Sequence, residues 1–306
     1  MAATHYHEPV LLHEAVKALI TREDGYYVDG TLGGGGHTSH LLTSLDNDAK
    51  VFGIDHDEEA LEHASELIGD ESRFVPIRGN FGHMEQLIPI DLHGSLDGIL
   101  LDLGVSSHQI DDPDRGFMFR EDAELDMRMS TLFATTAKDV VNTYSERELI
   151  RIFKTFGEER HSSRIAREIV AKRPVYTTQE LREIISGVIP DQFQNKSLAR
   201  IFQALRIEVN RELEMLERFF QYAPELVATG GRLVVISYHS LEDRVAKHFM
   251  KTGNAEGKPQ KDFYGNTIRP WKPLTSKPVR PAEEEIKENP RARSARLRAA
   301  ERTEVV

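Results

Sequence analysis

Apolar residues along this chain gather into short runs that stop at acids. Tyr26-Tyr27-Val28-Asp29 ends in a carboxylate, Lys50 to Asp57 ends in acids, Leu96 to Gly104 carries Asp102 near its end, and Arg73 to Phe81 runs into a turn. Runs apolar at nearly every position predict strands buried on both faces. Helical patterns separate them, Glu58 to Ile68 among them, and an amphipathic helix is expected after Pro9. Strands alternating with helices predict an α/β fold: an open, twisted, mostly parallel Rossmann-like sheet with its site along the carboxyl edge. The fifth strand, Gly230 to Ser237, comes over a hundred residues after the fourth, so an inserted helical domain is expected between them.

Within that insert, Ser145-x-x-Glu148 and Thr177-x-x-Glu180 read as capping boxes that open two helices. Leu198, Phe202, Leu205, Val209, Leu213, Leu216 and Phe220 fall on one stripe and predict a single long helix packed by that stripe. Residues 252–281, rich in Gly, Pro and Lys with Phe263, Tyr264 and Trp271 interspersed, predict an extended arm and not a packed element. A closing strand is expected near Leu297, with the tail arginines Arg291, Arg293, Arg296 and Arg298 on its exposed side.

The first strand leads into Gly33-Gly34-Gly35-Gly36-His37, and Thr38 to Leu42 opens a helix. A glycine turn before a helix lets backbone approach a ligand and presents free N–H groups. A phosphate-gripping loop would need Gly-Lys-Ser/Thr where His37-Thr38 stands, and the dinucleotide fingerprint counted from Gly33 meets Thr38 at its sixth position. S-adenosylmethionine, zwitterionic at its amino-acid end, would use a nearby carboxylate, and Asp29 is placed for it. Asp55, 20 residues beyond Gly35, stands where an acid meets ribose hydroxyls, and Phe81 could stack on an adenine. The plain alternative is a turn that only joins strand to helix.

The chain has 306 residues, 39% hydrophobic, enough for one large domain or two modest ones, and no cysteine, which removes disulfides, thiolate metal sites and cysteine nucleophiles. His5, His7 and His13 with Glu8 and Glu14 match no metal-ligand spacing, so no metal is expected. With neither a membrane-length apolar run nor a signal-peptide pattern, a cytoplasmic protein without membrane contact is expected. The net charge of −11 is uneven: residues 1–130 hold 26 acids and 8 bases, and the remainder 24 acids and 31 bases. Residues 147–173 alone carry eight bases, among them Arg160, Arg164, Arg167, Lys172 and Arg173, which suits a polyanion as partner or simply a solvated helical face.

Several segments together resemble one family, the ribosomal RNA small-subunit methyltransferase H family of cytosine-N4 methyltransferases. They are His7 to Leu12, Asp29 to His37, Asp97 to Ser107, Arg115-Gly116-Phe117, Leu125-Asp126-Met127-Arg128-Met129, Phe202 to Ile207 and Ser237 to Arg244. The resemblance implies a class I methyltransferase fold, S-adenosyl-L-methionine as donor, and a cytidine in the decoding region of 16S rRNA in the small ribosomal subunit as target. It further implies cofactor contacts at Gly35, Gly36, His37, Asp55, Phe81, Asp102 and Gln109, of which His37 and Gln109 rest on the resemblance alone. Gln194 to Ala199 departs from the His-Pro-Ala-Thr form of many relatives. The expected division is a methyltransferase domain over 1–106 and 212–306 and a helical RNA-recognition insert over 107–211. A homodimer stays open.

Without cysteine, methylation through ring carbon five of cytosine has no nucleophile, and the exocyclic amine remains. Its lone pair is delocalised, so acceptors on its N–H groups are needed to localise it. Strand four ends in Asp102-Leu103-Gly104-Val105-Ser106-Ser107 where many amino methyltransferases carry Asp/Asn-Pro-Pro-aromatic. Asp102 with nearby backbone carbonyls is expected to organise the amine, and Tyr238, His239 or Phe117 to stack on a single-stranded or flipped base. Two other readings share these features: an NAD-dependent oxidoreductase, and a non-catalytic assembly factor that only holds the cofactor.

Overall fold

The computed structural model describes residues 9–106, 109–110, 112–130, 133–265 and 267–304. His5 and His7, and with them part of the first family-like segment, lie outside the described residues, as does Ser107. The chain forms two compact units, Met1–Gly104 with Leu213–Val306, and Val105–Glu212.

The first unit is built on a seven-stranded sheet. Its strands in chain order are β1 (Tyr26–Asp29), β2 (Lys50–Asp55), β3 (Phe74–Arg78), β4 (Leu96–Asp102) and β5 (Val227–Ser237), then β8 (Trp271–Pro273) and β9 (Arg296–Arg302). A separate two-stranded ribbon pairs β6 (Gln260–Lys261) with β7 (Thr267–Ile268). The sheet order is β3-β2-β1-β4-β5-β9-β8, parallel from β3 to β5 and antiparallel for the last two. The order reverses between β1 and β4, and their carboxyl ends flank the crevice where such sheets bind ligands. Alternation along the strands separates two cores. Val28, Ile54, Ile99 and Val235 face helices Glu212–Leu226 and Ser240–Thr252, whereas Tyr27, Val51, Leu100 and Val234 face helices Leu12–Leu19 and Gly36–Thr43.

Two expectations for this unit change. The stretch 252–281 is not only an extended arm: Trp271, 1% exposed, is the largest fully buried side chain and anchors β8 as the edge strand. The tail arginines of β9 are not on an exposed side either. Arg298 and Arg296 both bond Asp243, at 2.7 and 3.3 Å, because β9 lies against helix Ser240–Thr252 and Asp243 is their counter-charge.

The second unit is helical, with Ala137–Thr143, Glu146–Thr155, Ser162–Ala171, Thr178–Ser186 and Asp191–Asn210 around one apolar core. Both expected capping boxes form, Ser145 with Glu148 and Thr177 with Glu180. Arg173 does not join the basic face, since its guanidinium donates to the Val141 and Tyr144 carbonyls. The single long helix is also overturned. It breaks at Arg211, which turns left-handed (φ 52°), so Leu198, Phe202, Leu205 and Val209 belong to the core of this unit while Leu216 and Phe220 belong to the sheet unit. Neither Gly nor Pro marks the break, which is why the stripe reads as continuous.

Asn210 holds that end in place. Its side chain accepts from Met129 N–H at 2.7 Å and donates to the Met127 and Arg206 carbonyls at 2.8 Å. The clamp steadies Met127 in a left-handed conformation (φ 59°), unusual for a side-chain-bearing residue. Leu125, Met127 and Met129 enter the core, and Asp126 and Arg128 pair outside it at 2.7 Å. Asn210→Ala leaves a buried carbonyl and N–H unpaired, so it is expected to cost about 2–3 kcal/mol, measured by urea unfolding. A loss under about 0.5 kcal/mol would mean the clamp carries no stability.

Candidate functional site

At the crevice the turn after β1 folds back on its own acids. Asp29, 2% exposed, accepts from Thr38 Oγ1 at 2.8 Å and from Thr31 N–H at 3.2 Å. Burial pushes its carboxyl up to about 6. Both oxygens of Asp29 thus pin the turn from inside, and it is the turn's anchor before anything else. Asp55, at the end of β2, accepts from Gly33 N–H and Asp57 N–H, each at 2.9 Å. Each of its oxygens keeps a further lone pair. Burial raises its pKa, and His56 nearby at 3.6 Å opposes that.

Gly33, Gly35 and Gly36 do different work. At Gly35 (φ +80°) an added Cβ would lie 2.9 Å from the Ala64 Cβ, and at Gly36 it would lie 2.4 Å from the Pro9 Cγ. Those two glycines bring protein against protein. Gly33 (φ +49°) has nothing nearer than 3.9 Å, so the open side of the turn is there. His37 follows on the first turn of helix Gly36–Thr43, buried, with Nε2 3.1 Å from the Val10 carbonyl. A carbonyl only accepts, so Nε2 carries the proton. Burial depresses the ring to about 4, which keeps it neutral, and its Nδ1 lone pair faces Asp102 Oδ2 at 3.8 Å.

Asp102 is the centre of the group. Its backbone N–H donates to Thr31 Oγ1 at 2.6 Å, tying the end of β4 to the turn. Its Oδ1 accepts from the Tyr238 hydroxyl at 2.9 Å, and its carboxyl is 21% exposed, with Oδ2 outside that bond. Burial pushes this carboxyl up to about 8, the Tyr238 hydrogen bond pulling it down and the charges of Asp29 and Glu242 adding to the rise. Tyr238 in turn is raised well above the usual phenol range by burial and by Asp102. At Gly104 (φ +105°) an added Cβ would lie 3.3 Å from that ring.

Tyr238 and His239 follow β5 at the same edge. His239 caps helix Ser240–Thr252: its Nδ1 accepts from Glu242 N–H at 3.4 Å, its Nε2 lies 3.2 Å from Glu242 Oε1, and Glu242 Oε2 accepts the Tyr238 and His239 N–H groups. The ring therefore faces Glu242. Phe81, on the turn after β3, is half-buried, edge-to-face with Phe219 at 6.1 Å. Gly35, Gly36, His37, Asp55, Phe81, Asp102, Tyr238 and His239 all belong to the sheet unit, and His37, Asp102 and Tyr238 come into one contact network.

Gln109 and Phe117 belong to the helical unit. Gln109 is buried, its amide bonded to Ser106 N–H and the Met129 carbonyl, and Phe117 packs on the helical core. Sequence reasoning passed over Thr31, Thr38 and Glu242, whose hydroxyls and carboxylate hold the site acids and aromatics in place. His239-x-x-Glu242 has the capping-box spacing, with His in the place usual for Ser or Thr, and that was the available signal.

A crevice edged by the carboxyls of Asp55 and Asp102 suits a ligand carrying free hydroxyls and positive charge better than a pyrophosphate. S-adenosylmethionine fits this donor set: Asp55 retains acceptors for ribose hydroxyls, Gly33 leaves room for close approach, and Asp102 offers a carboxylate oxygen to a cation.

The MraW methylase family model matches residues 4–303. The ribosomal RNA small subunit methyltransferase H of Flavobacterium johnsoniae is 49% identical over 300 residues, covering 97% of this chain and 98% of that protein. The protein of the same name from Bacteroides fragilis is 47% identical over 302 residues, covering 98% of each. That from Cytophaga hutchinsonii is 45% identical over 300 residues, covering 97% of this chain and 99% of that protein.

Proposed function

Because this chain belongs to the MraW methylase family, we propose that it transfers the methyl group of S-adenosyl-L-methionine to the N4 exocyclic amine of a cytidine in the decoding region of 16S rRNA. The single observation that carries the site assignment is the Asp102–Tyr238 pair at the end of β4 beside the glycine turn. The sulfonium of the donor supplies an electrophilic methyl group when bound. Asp55 would take the ribose hydroxyls, the open side of the turn at Gly33 would admit the nucleoside, and Phe81 would offer its ring to the base.

Tyr238 fixes Asp102 Oδ1 and leaves Oδ2 to accept an N–H of the cytosine amine, which localises the nitrogen lone pair toward the methyl carbon. In its ionised form a carboxyl raised to about 8 is a stronger base than an ordinary carboxylate, so the proton that the methylated amine sheds passes to the same oxygen. His37, held neutral, backs Asp102 without competing as a cation. His239 positions Tyr238 through Glu242, and Gln109 orders the loop that follows β4. The helical unit, with Arg160, Arg164, Arg167 and Lys172 exposed, is proposed to recognise the rRNA. Among the described residues no helix is long and apolar enough to cross a membrane, and we place the enzyme with its ribosomal substrate in the cytoplasm.

Small subunits from cells lacking the protein, incubated with it and tritiated donor, are expected to gain label that mass spectrometry maps to N4-methylated cytidine. No transfer to subunits or to naked rRNA would sink this reading. An assembly factor that only holds the cofactor would bind it and transfer nothing.

A further inference from the structure

Away from the crevice, helix Ser240–Thr252, the segment after it and β9 enclose a cavity of about 480 Å³. Lys247 and Lys251 reach it from successive turns of the helix, Arg269 and Lys272 from either side of the start of β8, and Arg298 from β9. Its floor is Met250, Pro259, Pro273 and Ala299, and no carboxylate lines it. Asp243, on the same helix, is already bonded by Arg298 and Arg296, and Glu301, paired across the strands with Lys272, makes no ion pair with it. The side chains of Lys247, Lys251, Arg269 and Lys272 are exposed and have no charge partner among the described residues. Four unmatched cations around an apolar floor attract a polyanion and leave its uncharged parts a surface to lie on.

A second feature adjoins the first. The ribbon of β6 and β7, which leads from Pro259 to Arg269, carries Phe263 and Tyr264 at its tip, 97% and 86% exposed and 5.6 Å apart edge-to-face. Rings this far from any core add nothing to folding, yet each offers a face to an unpaired base. The helix that supplies Lys247 and Lys251 is the one capped by His239, next to Tyr238 and Asp102. From its cap to Lys247 the helix rises about 12 Å, so a strand held along it runs toward the crevice.

We propose that this basic groove and its aromatic tip hold single-stranded rRNA that flanks the methylated cytidine, an inference that rests on the rRNA reading above. Phosphates sit on Lys247, Lys251, Arg269 and Lys272, and unpaired bases stack on Phe263 and Tyr264. Duplex RNA is a poor fit for the tip, because its bases are already stacked on one another.

The test uses the full chain and a fluorescent single-stranded fragment of small-subunit rRNA, with anisotropy measured from about 50 to about 200 mM salt. A quadruple variant (Lys247→Gln, Lys251→Gln, Arg269→Gln, Lys272→Gln) is expected to bind more weakly, with a log–log salt slope shallower by about 3, at ~0.7 per lost phosphate contact. A double variant (Phe263→Ala, Tyr264→Ala) is expected to bind at least about thirtyfold more weakly with the slope unchanged. It removes only exposed rings, so it carries the test if the quadruple variant does not fold.

Affinity for S-adenosylhomocysteine and the melting temperature stay as in the parent. Unchanged RNA affinity and slope in the variants, no RNA binding by the parent, or loss of binding to phosphatidylglycerol vesicles but not to RNA would each overturn the proposal. Failure of the rRNA methylation reading looks different: RNA binding through the groove, with no methyl transferred to subunits.

Discussion

Asp102→Asn is expected to lower methyl transfer by on the order of 10²–10³ while making the ligand-free protein more stable above pH 8. Asparagine keeps an oxygen for the Tyr238 hydroxyl, so the packing of the site survives and only the ionisable proton acceptor is lost. The stability gain follows from titration. The folded carboxyl is pushed up to about 8, whereas in the unfolded chain it titrates near ~3.9. Between those values the folded state keeps a proton that the unfolded state has released. Its contribution to stability is therefore complete below about pH 4 and is lost as pH rises through about 8.

Asp29, raised to about 6, adds a similar decline in both proteins, so it cancels in the comparison. Melting temperature against pH is expected to fall more steeply for the parent, the two curves separating most above pH 8. Parallel curves would mean that Asp102 is ionised throughout, and unimpaired single-turnover methyl transfer would remove it from the chemistry.

Trp271→Ala is expected to cost about 3–5 kcal/mol, the largest loss from any single truncation in the sheet unit. This ring fixes β8 to β9 and fills the core beneath helix Ser240–Thr252, with which it shares a cluster containing Phe249 and Met250. Trp271→Phe is a milder change. The indole N–H has no hydrogen-bond partner among the described residues, so the phenyl ring gives up volume but also removes an unpaired buried donor. Its cost is expected to stay within about 1.5 kcal/mol. Urea unfolding measures both, and because Trp271 is the only tryptophan, its emission in the parent should lie to the blue and move red as β8 undocks. An Ala variant within about 1 kcal/mol of the parent would mean the strand is not held by this ring.

Much of the sheet was legible because both-face-buried strands need little context to recognise. The helix Glu58–Ile68 and β1 fall as expected, β2 to β4 lie inside the expected runs and end two or three residues earlier, and each site acid follows an apolar run. β8 escapes the pattern because a three-residue strand that follows Pro270 and ends in Pro273 carries no strand period, and Trp271 reads like Phe263 and Tyr264 although one is core and two are exposed. Composition cannot tell these apart, since an aromatic in a Pro- and Lys-rich stretch is buried only if a distant helix covers it.

By itself the sequence determined the alternation of strand and helix, the glycine turn with its acids, the capped insert helices and the family. All are set by neighbours a few residues apart or by long motifs. The tertiary structure alone decided which groups meet: Tyr238 on Asp102 across 136 residues, Asn210 on Met127 across 83, Asp243 between two tail arginines, and the helix break at Arg211. The reason is that burial and pairing of a polar group depend on what the fold brings beside it. The same carboxylate is ordinary in water and raised to about 8 when β4, β5 and the turn close around it.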